Sequence, residues 1–354
     1  MAHYAATVLD ALRTQYPNNY DKNEARTSKY GALDLFKKQM GDGDSFLSQQ
    51  ARGLIQNSLG NAAEVKHPVL NAETVTVTTG STTTCSMPSD NDATSALVVT
   101  AAPTIYTFGF TMIKDAYIQN DIGYTASLNQ KLFKFDNQLA ADLDVAAVTA
   151  IAAAKNQHYP AAITDYYAAV GDALRVPQVD KDDMYNQLSS IISEMDFGDG
   201  SNDILANEIH RPLVNRFINQ GAGNSTNEAF QFAGFNWNYD NTSRLANGVG
   251  VESSLYLVKS GSLGIETRIP ESYKQGAEIA GKKKLTMTLP ISGLECAVLY
   301  QEDCNDESAL AIGEARTDSF REGWSFEVQV YLLTVYNSAI ATRFNPIQKL
   351  EILA

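Results

Sequence analysis

TASLNQKLFKFDNQLAADLDVAAVTAIAAAKN, residues 125–156, runs without interruption at a helical period. Leu128, Leu132, Phe135, Leu139, Leu143, Ala146 and Ala150 recur at steps of three and four, which keeps one apolar stripe facing one way. Thr125 is placed to cap the start, and Pro160 blocks continuation soon after the end. A helix of this length is a rod of about 48 Å, longer than one compact domain needs. Its second half, with Ala140, Ala141, Ala146, Ala147, Ala150 and Ala152 to Ala154, carries little bulk. Such a rod suits a beam laid across an extended sheet, and that is architecture rather than a pocket.

On the amino-terminal side the chain reads as pieces that cannot bury themselves. Residues 1–60 predict a short helix holding Val8 and Leu12, and a second after Ser45 with Leu47, Ala51, Leu54, Ile55 and Leu59, stopped at Gly60. Between them, 16–26 is rich in Asn, Asp and charge and reads as an extended arm that needs a neighbour to hold it. From Val65 to Phe110 the pattern changes to strand. Glu73-Thr-Val-Thr-Val-Thr78 alternates with period two, and Ala96-Leu-Val-Val99 follows a polar tip at 79–94. Two strands with such a tip bury no core of their own, so a long hairpin projecting onto a neighbouring molecule is expected.

On the carboxyl side the spacing predicts helices over 161–174 and 180–195. The second is capped by Asp180, with Met184, Leu188, Ile191, Ile192 and Met195 on one face. A Gly- and Asp-rich turn at 197–201 marks a boundary, and a helix bent at Pro212 is expected over 203–220. Strands are predicted at 229–237, 251–258, 264–269, 285–289 and 294–301. A long last strand, 324–336, sets Trp324, Phe326, Val328, Val330 and Leu332 on one face, with Tyr331, Leu333 and Val335 covering the other near its end. It is the strand on which the long helix would lie. No fixed-period repeat is present.

Composition narrows the function. The 354 residues are 44% hydrophobic but only 19% charged, so much of the surface is neutral and polar and cheap to desolvate. A net charge of −14 argues against a dedicated nucleic-acid binder. The excess is uneven: residues 1–60 hold seven basic and six acidic groups, whereas 121–200 hold five and twelve. Low surface charge also predicts assembly that depends little on salt. Cys85, Cys296 and Cys304 show no Cys-x-x-Cys spacing and read as free thiols of a reducing compartment. No leader is expected from Met1-Ala-His-Tyr4, and no run of eighteen apolar residues suggests a membrane span.

Catalytic signatures are weak. Gly276-Ala-Glu-Ile-Ala-Gly281-Lys282-Lys283 follows a phosphate-binding loop as far as its lysine, but puts Lys283 where Ser or Thr must hold magnesium, and a strand follows. Asp196-Phe-Gly-Asp199-Gly-Ser201-Asn-Asp203 lacks the spacing of a calcium loop. His3, His67, His158 and His210 form no ligand set, and His210 with Glu208 would stand two apart on a helix, facing different ways. No catalytic, cofactor-binding or metal-ligating residues, no cofactor and no enzymatic activity are therefore expected.

The order of elements resembles the major capsid proteins of tailed bacteriophages, the Hong Kong 97-like family. Residues 207–219, NEIHRPLVNRFIN, are similar to the helix of that family's axial domain, 255–266 to the following strand-turn-strand, and 324–352 to its closing strand and tail. The resemblance implies an α+β fold divided into an amino-terminal arm (1–63), an extended β-hairpin loop (64–112), a peripheral domain with spine helix (113–200), an axial domain (201–323) and a return strand (324–354). It implies a virion protein, made in the host cytoplasm, whose hexamers and pentamers close an icosahedral shell around double-stranded DNA. Implied partners are other copies, a separate scaffolding protein (no charged coiled coil precedes the arm), a portal and a decoration protein. Some relatives join subunits through a Lys–Asn bond, for which Lys66 and Asn71 stand near the loop base. Rival readings are a tail tube or sheath subunit, a bacterial nanocompartment shell, and a hydrolase with dispersed residues. On the shell reading, removing residues 1–40 or 79–94 leaves a soluble subunit unable to form stable shells.

Overall fold

The expected beam is a helix. The computed structural model describes residues 30–41, 52–53, 55, 65–70, 96–113, 121–157, 159, 161–195, 202–221, 231–232, 234–274, 276, 278–279, 282–305, 319–334 and 346–354. Among these residues the chain runs α1 (Gly31–Gly41), β1 (Val65–Leu70), β2 (Ala96–Ala101), β3 (Thr104–Ile113), α2 (Asp121–Ala153), α3 (Ala161–Thr164), β4 (Ala168–Val170), β5 (Ala173–Val176), α4 (Lys181–Glu194), β6 (Asn202–Asn207), α5 (His210–Gly221), β7 (Gln231–Phe232), β8 (Phe235–Asp240), β9 (Val251–Lys259), β10 (Leu263–Arg268), α6 (Glu271–Lys274), β11 (Glu278–Ile279), β12 (Lys282–Thr288), β13 (Glu295–Asn305), β14 (Ser319–Thr334) and β15 (Ile347–Leu353). It is an α+β fold.

α2 has 33 residues and is about 50 Å long. It begins at Asp121, so Thr125 lies inside the helix rather than at its cap. Leu128, Leu132, Phe135, Leu139 and Leu143 are buried as the stripe requires, while Ala146 and Ala150 are half-buried beside buried Ala147, Val148 and Ile151. The helix lies on a sheet ordered β10-β14-β13-β12-β11, with β3 also paired to β14. Phe135 stacks on Phe108 of β3 at 4.8 Å between ring centres, and Phe326 of β14 closes the same cluster. In β14, Trp324, Phe326, Val328 and Val330 are buried on the expected face. Tyr331 and Leu333 are buried on the other, and Leu332 is half-buried.

A second sheet is ordered β4-β5-β15-β9-β6-β8-β7. All of β6 is buried, and its neighbours in sequence go opposite ways. Ile204 and Ala206 join the core under α4, with Met184, Leu188 and Ile191, while Leu205 joins the core under α2. This sheet is therefore covered on both sides. The hydrogen bonding does not follow the divisions expected at 200 and 323. β10, β12 and β13 pair within the sheet of β14, while β4, β5 and β15 belong to the other sheet.

Three helical expectations are corrected. Residues 161–174 form α3 and then a hairpin, because Gly171 and Asp172 both take positive φ (59° and 61°) and turn the chain back on itself. Residues 203–220 split into β6 and α5, because the apolar run Ile204-Leu-Ala206 is the interior of a central strand. Pro212 falls in the first turn of α5, where its missing N–H costs nothing, and so it introduces no mid-helix bend. Asp180 does precede α4, but its side chain makes no capping bond. Gly234 (φ 82°) separates β7 from β8 inside the expected strand 229–237. The helix carrying Val8, the arm at 16–26, the strand at 73–78, the tip at 79–94 and the turn at 197–201 lie outside the described residues. Of the helix after Ser45, residues 52, 53 and 55 are helical, and Ile55 is buried.

Candidate functional site

The sequence offers no catalytic constellation, and among the described residues the candidates above are not brought together. Gly276 sits in a turn (φ 63°), and Glu278–Ile279 pairs back onto Lys282–Lys283, so the loop-like motif is a β-hairpin with no helix amino terminus to meet a phosphate. Asp203 is held by Lys38 and Gln39. His210 is buried against the Tyr185 hydroxyl at 3.1 Å, and burial lowers its imidazole to about 4; Glu208 pairs instead with Arg211 at 3.2 Å. Cys296 is a free buried thiol whose pKa burial pushes up. Among the described residues no cluster of His, Cys, Asp or Glu could hold a metal, and no helix is long and apolar enough to cross a membrane.

What the fold does build is a set of surfaces fixed relative to one frame. β1 and β2 pair from Val65↔Ala101 to Leu70↔Ala96, and among the described residues they form a two-stranded sheet that joins neither larger sheet. The described pairing is of 65–70 with 96–101, and the expected strand at 73–78 and tip at 79–94 lie outside the described residues. Lys66 lies in β1, and Asn71 lies outside the described residues.

Helix α1 was not foreseen, although Leu33, Phe36 and Met40 have helical spacing. Leu33, Leu35 and Phe36 are wholly buried. Its first turn approaches the backbone of β8 so closely that a β-carbon on Gly31 would lie 2.5 Å from the Tyr239 carbonyl oxygen. Polar anchors tie α1 to three elements. Ala32 and Leu33 donate their N–H groups to Asp144 Oδ1 of α2, each at 3.0 Å. Lys38 and Gln39 reach Asp203 of β6 at 2.5 and 3.0 Å, and the Leu263 N–H of β10 donates to Gln39 Oε1 at 2.9 Å. One short helix therefore bonds to the beam and to both sheets.

The beam is pegged by two buried aspartates. Asp136 accepts the N–H groups of Ile291 and Ser292 at 2.7 and 3.0 Å, and Asp144, two turns on, does the same for α1. Burial raises the pKa of Asp136 against the pull of those bonds. At the start of the helix Tyr124 donates its hydroxyl to Glu322 of β14. Such carboxylates satisfy orphan backbone donors where two elements meet, and each contact has a single register.

Part of the β14 sheet face turned away from α2 carries small polar groups, beside an exposed Ile105. Thr107, Gly109 and Ser325 floor a shallow trough of about 390 Å³, bordered by Tyr273, Leu299 and Glu327. Thr107, Gly109, Thr111 and Ser325 are exposed.

No protein-family model matches the chain, and no curated protein matches it. Among solved structures it is similar to the capsid structure of the cyanophage P-SCSP1u (TM-score 0.43, 13% identity, 84% of this chain and 85% of that one). It is similar also to a chain of the cyanophage A-1(L) capsid asymmetric unit (0.43, 14%, 88% and 94%) and to one from Mycobacterium phage Che8 (0.43, 12%, 86% and 88%). At such TM-scores and identities neither fold nor role is transferred.

Proposed function

We propose that the chain is a shell subunit, the major capsid protein of a tailed bacteriophage with the Hong Kong 97-like architecture. The observation that carries this reading is the β1–β2 hairpin: a sheet of two strands, separate from both larger sheets, on a subunit framed by a helix of about 50 Å. An isolated hairpin is marginal in water, so this one is stabilised by another molecule. A beam with two sheets and a projecting hairpin is a part shaped for repeated contact with copies of itself, and obligate interfaces of that kind commonly exceed about 2,000 Å².

On this reading α2 is the spine and the β14 sheet the peripheral domain. The sheet of β6, β9 and β15 is the axial domain crowding a capsomer axis, and residues 64–103, ahead of β3, are the extended loop clasping a neighbour. Hexamers and pentamers close an icosahedral shell in the virion around double-stranded DNA. A separate scaffold guides closure, and a portal and decoration protein complete the particle. The chain itself acts without catalysis.

Electron microscopy of the protein expressed with and without its neighbouring genes tests the reading. Closed polyhedra, or rings that close when a scaffold is supplied, are expected. Tubes would assign it to a tail tube or sheath, and native closed shells lacking a genome to a nanocompartment. A monomer under every condition would overturn self-assembly.

A further inference from the structure

We infer that the junction of α1, α2 and the end of β8 is a proton-operated latch, closed in mild acid and loosened as the pH rises to neutrality. The inference does not rest on the shell reading. Asp144 of α2 and Asp240 of β8 are both wholly buried, and one guanidinium, Arg244, stands between them. Their four oxygens are unevenly served. Asp144 Oδ1 takes two N–H groups from α1, and Asp240 Oδ1 takes Asn241 N–H at 2.6 Å and Arg244 Nε at 3.1 Å. Asp144 Oδ2 meets the same Arg244 nitrogen at 2.8 Å as an ion pair without a hydrogen bond, and Asp240 Oδ2 accepts none. Both carboxyl groups therefore depend on the same guanidinium nitrogen. Two buried negative charges exceed what one guanidinium balances, which favours a proton held on the pair.

Among the described residues, the other charged groups at the junction do not supply the missing positive charge. From just before α1 comes Tyr30, whose ring lies 5.1 Å under the Arg244 guanidinium, and from α1 come Asp34, Lys37 and Lys38. Lys38 is committed to Asp203, while Lys37 faces Asp34 and Asp136. From α2 comes Asp136, bonded to 291–292, and from the end of β8 and the turn after it come Asp240 and Arg244 themselves. Burial first, and then the Asp240 carboxyl, raise Asp144 to about 7, against an ordinary value of 3.8. A carboxyl that binds its proton more tightly when docked favours docking below its raised value. That advantage is lost as the pH climbs from about 4 to about 7, and no further change follows above it. The element at stake is α1, because Asp144 caps its amino terminus.

Hydrogen exchange on the unassembled subunit from pH 5 to 8.5 tests the latch. Protection at 31–41, corrected for intrinsic rates and referred to α4, should fall by up to about tenfold per pH unit between 5 and 7 and level off above about 7.5. Asp240→Asn keeps the shape and supplies an N–H in place of the proton, so its protection should stay high and flat; Asp144→Asn should also be flat. Wild-type protection that follows α4 at every pH, or a slope that survives in Asp240→Asn, would overturn the latch. If both variants fail to fold, carbon-13 titration of wild-type aspartate carboxyls decides: a midpoint within about one unit of 7 supports it, and none there removes it.

Discussion

Gly31 is the tightest point of the junction. A β-carbon there would meet the Tyr239 carbonyl oxygen at 2.5 Å and Asp240 Cβ at 3.1 Å, and neither is the end of a flexible chain. Gly31→Ala must therefore push α1 off β8 or shift the strand, a strain of about 1–3 kcal/mol. The expected result is a lower melting temperature and weaker hydrogen-exchange protection at 31–41. A variant that melts with the wild type would show that α1 is not seated as described. Nothing in the local sequence marks Gly31 as this kind of glycine. Its constraint comes from a backbone more than two hundred residues away, and a periodicity argument sees only neighbours along the chain. The same holds for Asp136 and Asp144, which read as polar interruptions of a helix until the N–H groups they receive are located.

At the scale of elements, what could be read was what repeats. The stripe of α2, the alternation of β14 and the single face of α4 each extend over enough residues for a period to declare itself, and all three are present. What failed were short pieces whose conformation is decided from outside. β6 is apolar enough to pass for a helix and is a strand because β8 and β9 flank it. The hairpin of β4 and β5 was legible in principle, since Gly171-Asp172 is a turn dipeptide set in an otherwise helical composition. The missed helix α1 changes a prediction. Removing residues 1–40 would take away nearly all of α1 and expose the core it covers, so loss of assembly would say nothing about an arm. Removal of 1–29 spares α1. On the shell reading that shorter deletion, like a linker replacing 71–95, gives a folded subunit with an unchanged melting temperature that forms no stable shells. Normal particles from either would remove the clasp.

At the scale of the whole molecule, the distribution of bulk says which faces are finished. The side of the β14 sheet under α2 is packed with aromatic rings, and the second sheet is covered on both sides. The remaining face of the β14 sheet offers Thr107, Gly109, Thr111 and Ser325, exposed and too small to form a core. Small neutral groups are easily desolvated and let another backbone come close, which suits contact with a second copy. Ser325→Arg tests this face without touching the interior, because its side chain points away from the aromatic layer. The isolated subunit should melt within about 1 °C of the wild type, as surface changes usually cost under about 0.5 kcal/mol. On the shell reading closed particles should be lost, since an arginine in a tight interface is bulky and its charge would be buried without a partner. Raising the salt from low to molar concentration should not rescue them, because screening removes distant repulsion but not bulk or desolvation. Normal shells from Ser325→Arg would mean that the face stays open to solvent in the particle. The neighbour's contacts would then have to lie on the ends of the sheets and along the beam.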